Sequence, residues 1–113
     1  MKHLILLALA LQASLIADQV ITTDGSVLNG QILGMLDGNL TIKTKFAGKL
    51  RIPHPQIAKI SSEDSFSVRL EDNRTYNGII VSKNDRTFAL DELATNFELK
   101  EIRQLWPDGE DDP

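Results

Sequence analysis

The side chains in this sequence best placed to do chemistry are His54 and two pairs of neighbouring carboxylates. His54 stands between Pro53 and Pro55, with no Asp or Glu within four residues on either side. A metal site or a general acid–base pair needs at least one further positioned group, so an isolated imidazole is expected to be a solvated turn residue. Glu63-Asp64 and Glu71-Asp72 are close pairs, but they lack the spaced oxygen ligands of a Ca²⁺ loop. The sequence holds no Gly-rich phosphate loop, no G-x-S-x-G and no H-E-x-x-H. Cysteine is absent too, which removes thiolate ligands, disulfides and a thioether lipid anchor. The expectation is a protein that is not an enzyme and carries no cofactor or metal.

Recognition is the remaining chemistry, and its candidates are aromatic. Tyr76, Phe88, Phe97 and Trp106 cluster in the C-terminal half, against Phe46 alone in the N-terminal half. Rings in so small a unit usually fill the core, which is the expectation for Phe88 and Phe97. Trp106 lies directly before Pro107 at the exit of the last strand, where it can plug an end or meet a neighbour. The binding candidates are Tyr76, Phe97, Leu99 and Trp106, with the strand segment 96–106 as their frame.

The elements that must position these residues come as a repeat. Val20 to Gly30 aligns with Val68 to Gly78 at an offset of 48, in the frame apolar-x-x-x-Asp-x-x-x-x-Asn-Gly. Asp37 with Asp85, Leu40 with Phe88 and Ile42 with Leu90 keep that offset. It then slips to 47 for Leu50/Ile52 against Phe97/Leu99, and to 45 for Ile57/Ile60 against Ile102/Leu105. Slips of that size are loop-sized, and the reading is a duplication.

Within each copy the apolar period is two, the period of a half-buried strand. Asp24-Gly25, Asp37-Gly38 and Ala47-Gly48 supply tight turns in the first copy, and Asp72-Asn73 and Asn84-Asp85 do so in the second. Pro53-His54-Pro55 cannot continue a ladder and reads as a 3₁₀-like turn before a last strand, 57–61. The corresponding last strand is 101–106. No helix is expected after residue 17.

The fold class is all-β: two tandem five-stranded SH3-like or Sm-like small barrels, residues 18–64 and 65–107, followed by an acidic disordered tail, 108–113. Gly30 and Gly78 are expected where the second strand of each barrel bends sharply to serve both of its sheets.

Met1-Lys2-His3 followed by the unbroken apolar run Leu4 to Leu11 has the layout of a secretory signal. The run is too short for a hydrocarbon core that needs about 20 helical residues. Residues 1–17 are expected to be removed after Ala17, leaving a mature chain without a transmembrane segment in the periplasm or cell envelope. Eleven Lys/Arg then face sixteen Asp/Glu, with four of the acids in the last six residues. A near-neutral body with an acidic tail argues against nucleic acid, whose binding rests on cations neutralising phosphates.

The repeated Asp-Gly, Asn-Gly, Asp-Gly-x-Leu-x-Ile and Gly-x-Leu-x-Ile elements resemble the soluble N-terminal repeats of exported bacterial proteins, as found before the barrel of the salt-induced outer-membrane-protein family. The likeness covers residues 18–107 and implies fold and compartment, but no activity. The second copy also resembles an Sm domain, from Val68 through Gly78 and Asp85 to Leu90. The Asn and Arg-Gly pair that hold RNA in that family are incomplete in both copies, so the resemblance implies fold alone.

The expected role is a non-catalytic envelope interaction module that pairs with another protein, or with itself, through strand edges and the interface between the repeats. Residues 96–106 would form the open edge and Trp106 the anchor. The alternative is a cell-wall glycan or peptide module, whose aromatic cleft Tyr76 and Trp106 would begin. Outer-membrane association is expected only if the chain is part of a longer protein.

Overall fold

The computed structural model describes residues 17–93 and 95–113. The expected signal segment therefore lies outside the described residues, apart from Ala17.

The described chain is all-β, and its sheet is antiparallel and curled. The first half contains β1 (Asp18–Thr22), β2 (Val27–Leu36), β3 (Asn39–Thr44), β4 (Gly48–Pro53) and β5 (Ile57–Ser61), with a 3₁₀ turn, His54–Gln56, before β5. The second half contains β6 (Ser65–Leu70), β7 (Thr75–Ser82), β8 (Thr87–Leu90), β9 (Asn96–Glu98) and β10 (Ile102–Pro107), with a 3₁₀ turn, Leu99–Glu101, before β10. Strands in the first half lie in the order β5-β1-β2-β3-β4. The second half repeats that order as β10-β6-β7-β8-β9.

The turn residues explain this connectivity. Asp24 Oδ1 accepts the Ser26 N–H at 3.1 Å, and Asp72 Oδ1 accepts the Arg74 N–H at 3.0 Å. Each Asp folds the chain back on itself, and the next residue, Gly25 or Asn73, takes a positive φ. Asp37 and Gly38, at φ 54° and 79°, make the two-residue hairpin between β2 and β3.

The glycines expected at bends sit where a strand changes partners. Up to Gly30, β2 pairs with β1; from Gln31 onward it pairs with β3. A Cβ at Gly30 would overlap the backbone oxygen of Lys43. In the second half, Gly78 pairs with Phe66 on β6 while Ile80 pairs with Leu90 on β8, and a Cβ at Gly78 would stand 2.9 Å from Leu90 Cβ.

The segment 96–106 is not one continuous strand. The strand ends at Glu98, and Leu99–Glu101 turn as a 3₁₀ segment in which the Glu98 N–H reaches the Glu101 carboxylate at 2.8 Å. The turn swings Leu99 inward, to 1% exposure.

The two halves meet where Gln104 and Leu105 of β10 pair with Leu36 and Met35 of β2. Reciprocally, β5 lies against β7: the Ser62 N–H reaches the Ile80 oxygen at 3.0 Å, and Ser62 Oγ accepts the Ile80 N–H at 2.8 Å. One apolar cluster runs through both halves, from Val20, Ile32 and Ile57 to Val68, Phe88 and Leu105.

Candidate functional site

The sequence-derived binding residues do not come together. Tyr76 is half-buried with its ring 5.2 Å from that of Phe97, and Phe97 lies 5.5 Å from Phe88. The three rings fill the core of the second half, Phe97 at 6% and Phe88 at 0% exposure. Leu99 is also core. These positions stabilise the fold through buried area and offset ring packing, and Phe88, Phe97 and Leu99 offer no surface to a partner.

Trp106 is buried as well, and register explains why. Val68 pairs with Tyr76 and Leu105, whereas its neighbour Ser67 pairs with Asn77 and Trp106. Adjacent residues on a strand point to opposite faces, so Tyr76 and Trp106 lie on opposite faces of one sheet. They cannot line a common cleft.

The expectation that 96–106 forms an open edge holds only for its first strand, β9. β10 is not an edge: it is paired with β6 on one side and, at Gln104 and Leu105, with β2 on the other. The ends of the continuous path are β4 and β9.

On the face that carries Trp106, Arg69 and the tail form a cover. The Arg69 guanidinium lies 5.0 Å from the Trp106 ring centre and pairs with the Asp112 carboxylate, a bond that raises the guanidinium pKa further. Arg69 Nη1 also donates to Gln104 Oε1 at 2.6 Å. Asp108 accepts from Asn77 Nδ2 at 2.9 Å and from Ser65 Oγ at 3.1 Å. The tail, expected to be disordered, thus runs back over the sheet because its carboxylates find donors there.

Beside this cover lies a cleft of about 460 Å³, lined by Gly34, Leu36, Arg51, Trp106, Glu110 and Asp111 among others. A second depression, of about 570 Å³, meets it at Leu36 and Asp37 and includes Glu71, Arg103 and Gln104. Both are built by the β2–β10 joint, and Leu36 stands at their meeting point 48% exposed. The sequence marks Leu36 only as one more alternating apolar residue.

Two further polar centres hold the halves in place. Asp18 is 7% exposed; its Oδ2 accepts the Ile32 N–H at 2.7 Å and its Oδ1 the Glu63 N–H at 2.8 Å. It ties β1 to the bend of β2 and to the connection between the halves. Arg86, at φ 70°, donates from Nη1 to the carbonyl oxygens of His54 and Ile57, both at 2.6 Å. His54 is accordingly half-buried against the second half, not a solvated turn residue, and its Nδ1 has no partner among the described residues. Both carboxylate oxygens of Asp18 and the Nη1 of Arg86 are thus engaged by backbone groups. Among the described residues no three His, Cys, Asp or Glu side chains gather as a metal site.

Comparison with known family models, curated proteins and solved structures finds no match for this chain.

Proposed function

We propose that this chain is a non-catalytic interaction module of the bacterial cell envelope, exported by its N-terminal leader and built from two tandem small barrels of the SH3-like or Sm-like kind. The five-strand order recurs in the two halves, with a 3₁₀ turn before each last strand. The matched Asp24/Asp72 turns and Gly30/Gly78 bends favour a duplicated unit.

The observation that carries the functional reading is the β2–β10 joint. It fixes the halves against each other and leaves, on one side, a concave surface to which both contribute. A partner's extended segment fits along this joint, with Leu36 as apolar contact and Arg51 as cation. The cleft wall carries Asp37, Glu110 and Asp111 against the one cation Arg51, which favours a neutral or basic segment as the ligand. Partner pairing by strand addition then uses the path ends, β4 or β9, the latter within the expected segment 96–106.

The test is site-specific photo-crosslinking in intact cells, with the reactive residue at Leu36 and, as a control, at exposed Val27 at the other end of β2. Discrete adducts from position 36 and none from position 27 are expected. Equal adducts from both, or none from either, would overturn the joint as the working surface.

A further inference from the structure

The β3–β4 hairpin carries a concentration of charge that the joint uses only at Arg51. Residues 38–62 hold five cations, Lys43, Lys45, Lys49, Arg51 and Lys59, and no carboxylate, in a chain whose net charge is −4. Lys43 pairs with Lys49 and Thr41 with Arg51 across the two strands. Cross-strand partners share a face, so Lys43, Lys49 and Arg51 point the same way, opposite Leu40, Ile42 and Ile52 in the core. Two lysines directly opposite each other repel, which costs stability unless something outside the hairpin supplies negative charge. None of Lys43, Lys45, Lys49 and Arg51 has an ion-pair partner among the described residues.

At the tip of this hairpin stands Phe46, 92% exposed, with Lys45 Nζ 5.4 Å from its ring centre. Every other phenylalanine of the chain is buried. An aromatic ring held out on a turn loses its apolar contact area to water, and the four residues around it, Thr44 to Gly48, are small or polar and build no pocket for it.

From this geometry we propose that the β3–β4 hairpin docks on an anionic lipid surface, with Phe46 inserted at the boundary of headgroups and acyl chains and Lys43, Lys45, Lys49 and Arg51 against the lipid phosphates. A projecting ring flanked by cations matches a fluid interface, where apolar insertion and charge attraction act together and no complementary groove is needed. Lysine stems reach along the apolar layer while their ammonium groups stay at the phosphates. A protein partner would instead have to offer a pocket for Phe46 within an acidic rim. The face is separate from the joint cleft except at Arg51, so the proposal stands or falls independently of the Leu36 crosslinks.

The test is co-sedimentation of the full chain, as purified from cells, with vesicles of phosphatidylcholine alone and with vesicles containing phosphatidylglycerol. Where the apolar run at residues 4–11 is retained, its contribution is common to both kinds, so the difference between them reads the charged surface. Binding to the anionic vesicles is expected to fall about 150-fold in the triple variant Lys43→Gln, Lys45→Gln, Lys49→Gln, each of the three cations near a surface contributing about 1 kcal/mol. It is expected to fall in Phe46→Ser too, and to weaken when salt shortens the screening length from about 10 Å to about 3 Å. Circular dichroism checks that these surface variants remain folded. Equal binding to both vesicles, or anionic binding unchanged in both variants, would overturn the proposal. So would absence of vesicle binding, including the case in which the same residues retain the chain on immobilised poly-glutamate, which would mark an acidic protein as the partner.

Discussion

The guanidinium of Arg86 holds the carbonyl oxygen of Ile57 at 2.6 Å, so that a turn of the second half is fastened to the start of the last strand of the first. Arg86 occupies the left-handed backbone region, at φ 70°, as Gly38 does in the matched turn of the first half, at φ 79°. A non-glycine residue is disfavoured there, and the bonds it makes across the halves offset that cost.

Replacing it separates the two effects. Arg86→Ala keeps the backbone penalty and leaves two carbonyls without their charged donor, so a loss of about 2–3 kcal/mol is expected. Arg86→Gly loses the same bonds but relieves the backbone, and should cost about 1 kcal/mol less than Arg86→Ala. Chemical denaturation measures both. Equal losses would mean that the left-handed conformation is not under strain, and no loss in either would mean that the bonds contribute nothing.

Gly30→Val is expected to destabilise by about 1–3 kcal/mol, through overpacking at a bend. Gly78→Val is expected to cost a similar amount. The obstacle at Gly30 is the backbone oxygen of Lys43, which cannot move without breaking the β2–β3 pairing; at Gly78 it is Leu90 Cβ, at 2.9 Å and fixed to its strand, together with a φ of 159° that side chains rarely adopt. A pair of melting curves decides it, and near-neutral curves for both variants would contradict the account.

Much of this was readable from residue order, and the failures share one cause. Strand periodicity, the Asp24 and Asp72 turns, the Gly30 and Gly78 bends and the 3₁₀ turn at His54 rest on local patterns, and those patterns are present in the chain. The joint is not local. Nothing near Leu105 says that it will pair with Met35, so β10 looked like an open edge and Trp106 like a free anchor. The burial of Trp106 follows from pairing to Ser67 and from the return of Asp112 to Arg69, both set by tertiary structure. Phe46 was the opposite case. Its isolation from other aromatics made it look unimportant, although the lysines around it and the carboxylate-free stretch from 38 to 62 are plain in the sequence.

Acid should weaken the turn between β1 and β2. The Thr22 hydroxyl bond, and after it the Ser26 N–H, hold the Asp24 carboxyl below its usual value of 3.8. A depressed carboxylate contributes stability that is complete above the usual value and is lost as pH falls through the depressed one. The acid limb of the stability curve, below about pH 4, should therefore be shallower in Asp24→Asn than in the parent. Urea midpoints across that range test it, and parallel curves would contradict it.

Export should leave Asp18 as the first residue of the mature protein, recovered outside the cytoplasm. Asp18 already serves as the first buried side chain, accepting the Ile32 and Glu63 N–H groups. Asp18→Ala should destabilise the processed protein by about 1–3 kcal/mol, since two buried donors lose their acceptor. N-terminal sequencing of the native protein checks the first statement, and an intact Met1 on cytosolic protein would refute it.

The account rests on the two halves forming one folding unit, because the joint surface exists only if they do. Each half is near the size at which a core without disulfide or metal becomes marginal, and the apolar cluster passes through both. The direct measurement is the folding of residues 18–64 and 65–113 as separate chains, followed by circular dichroism during thermal melting, alone and mixed. The expected result is that each fragment alone lacks a cooperative transition and that mixing the two restores one. If fragment 18–64 alone melts cooperatively at the temperature of the whole chain, the halves are independent and the joint is not what holds them.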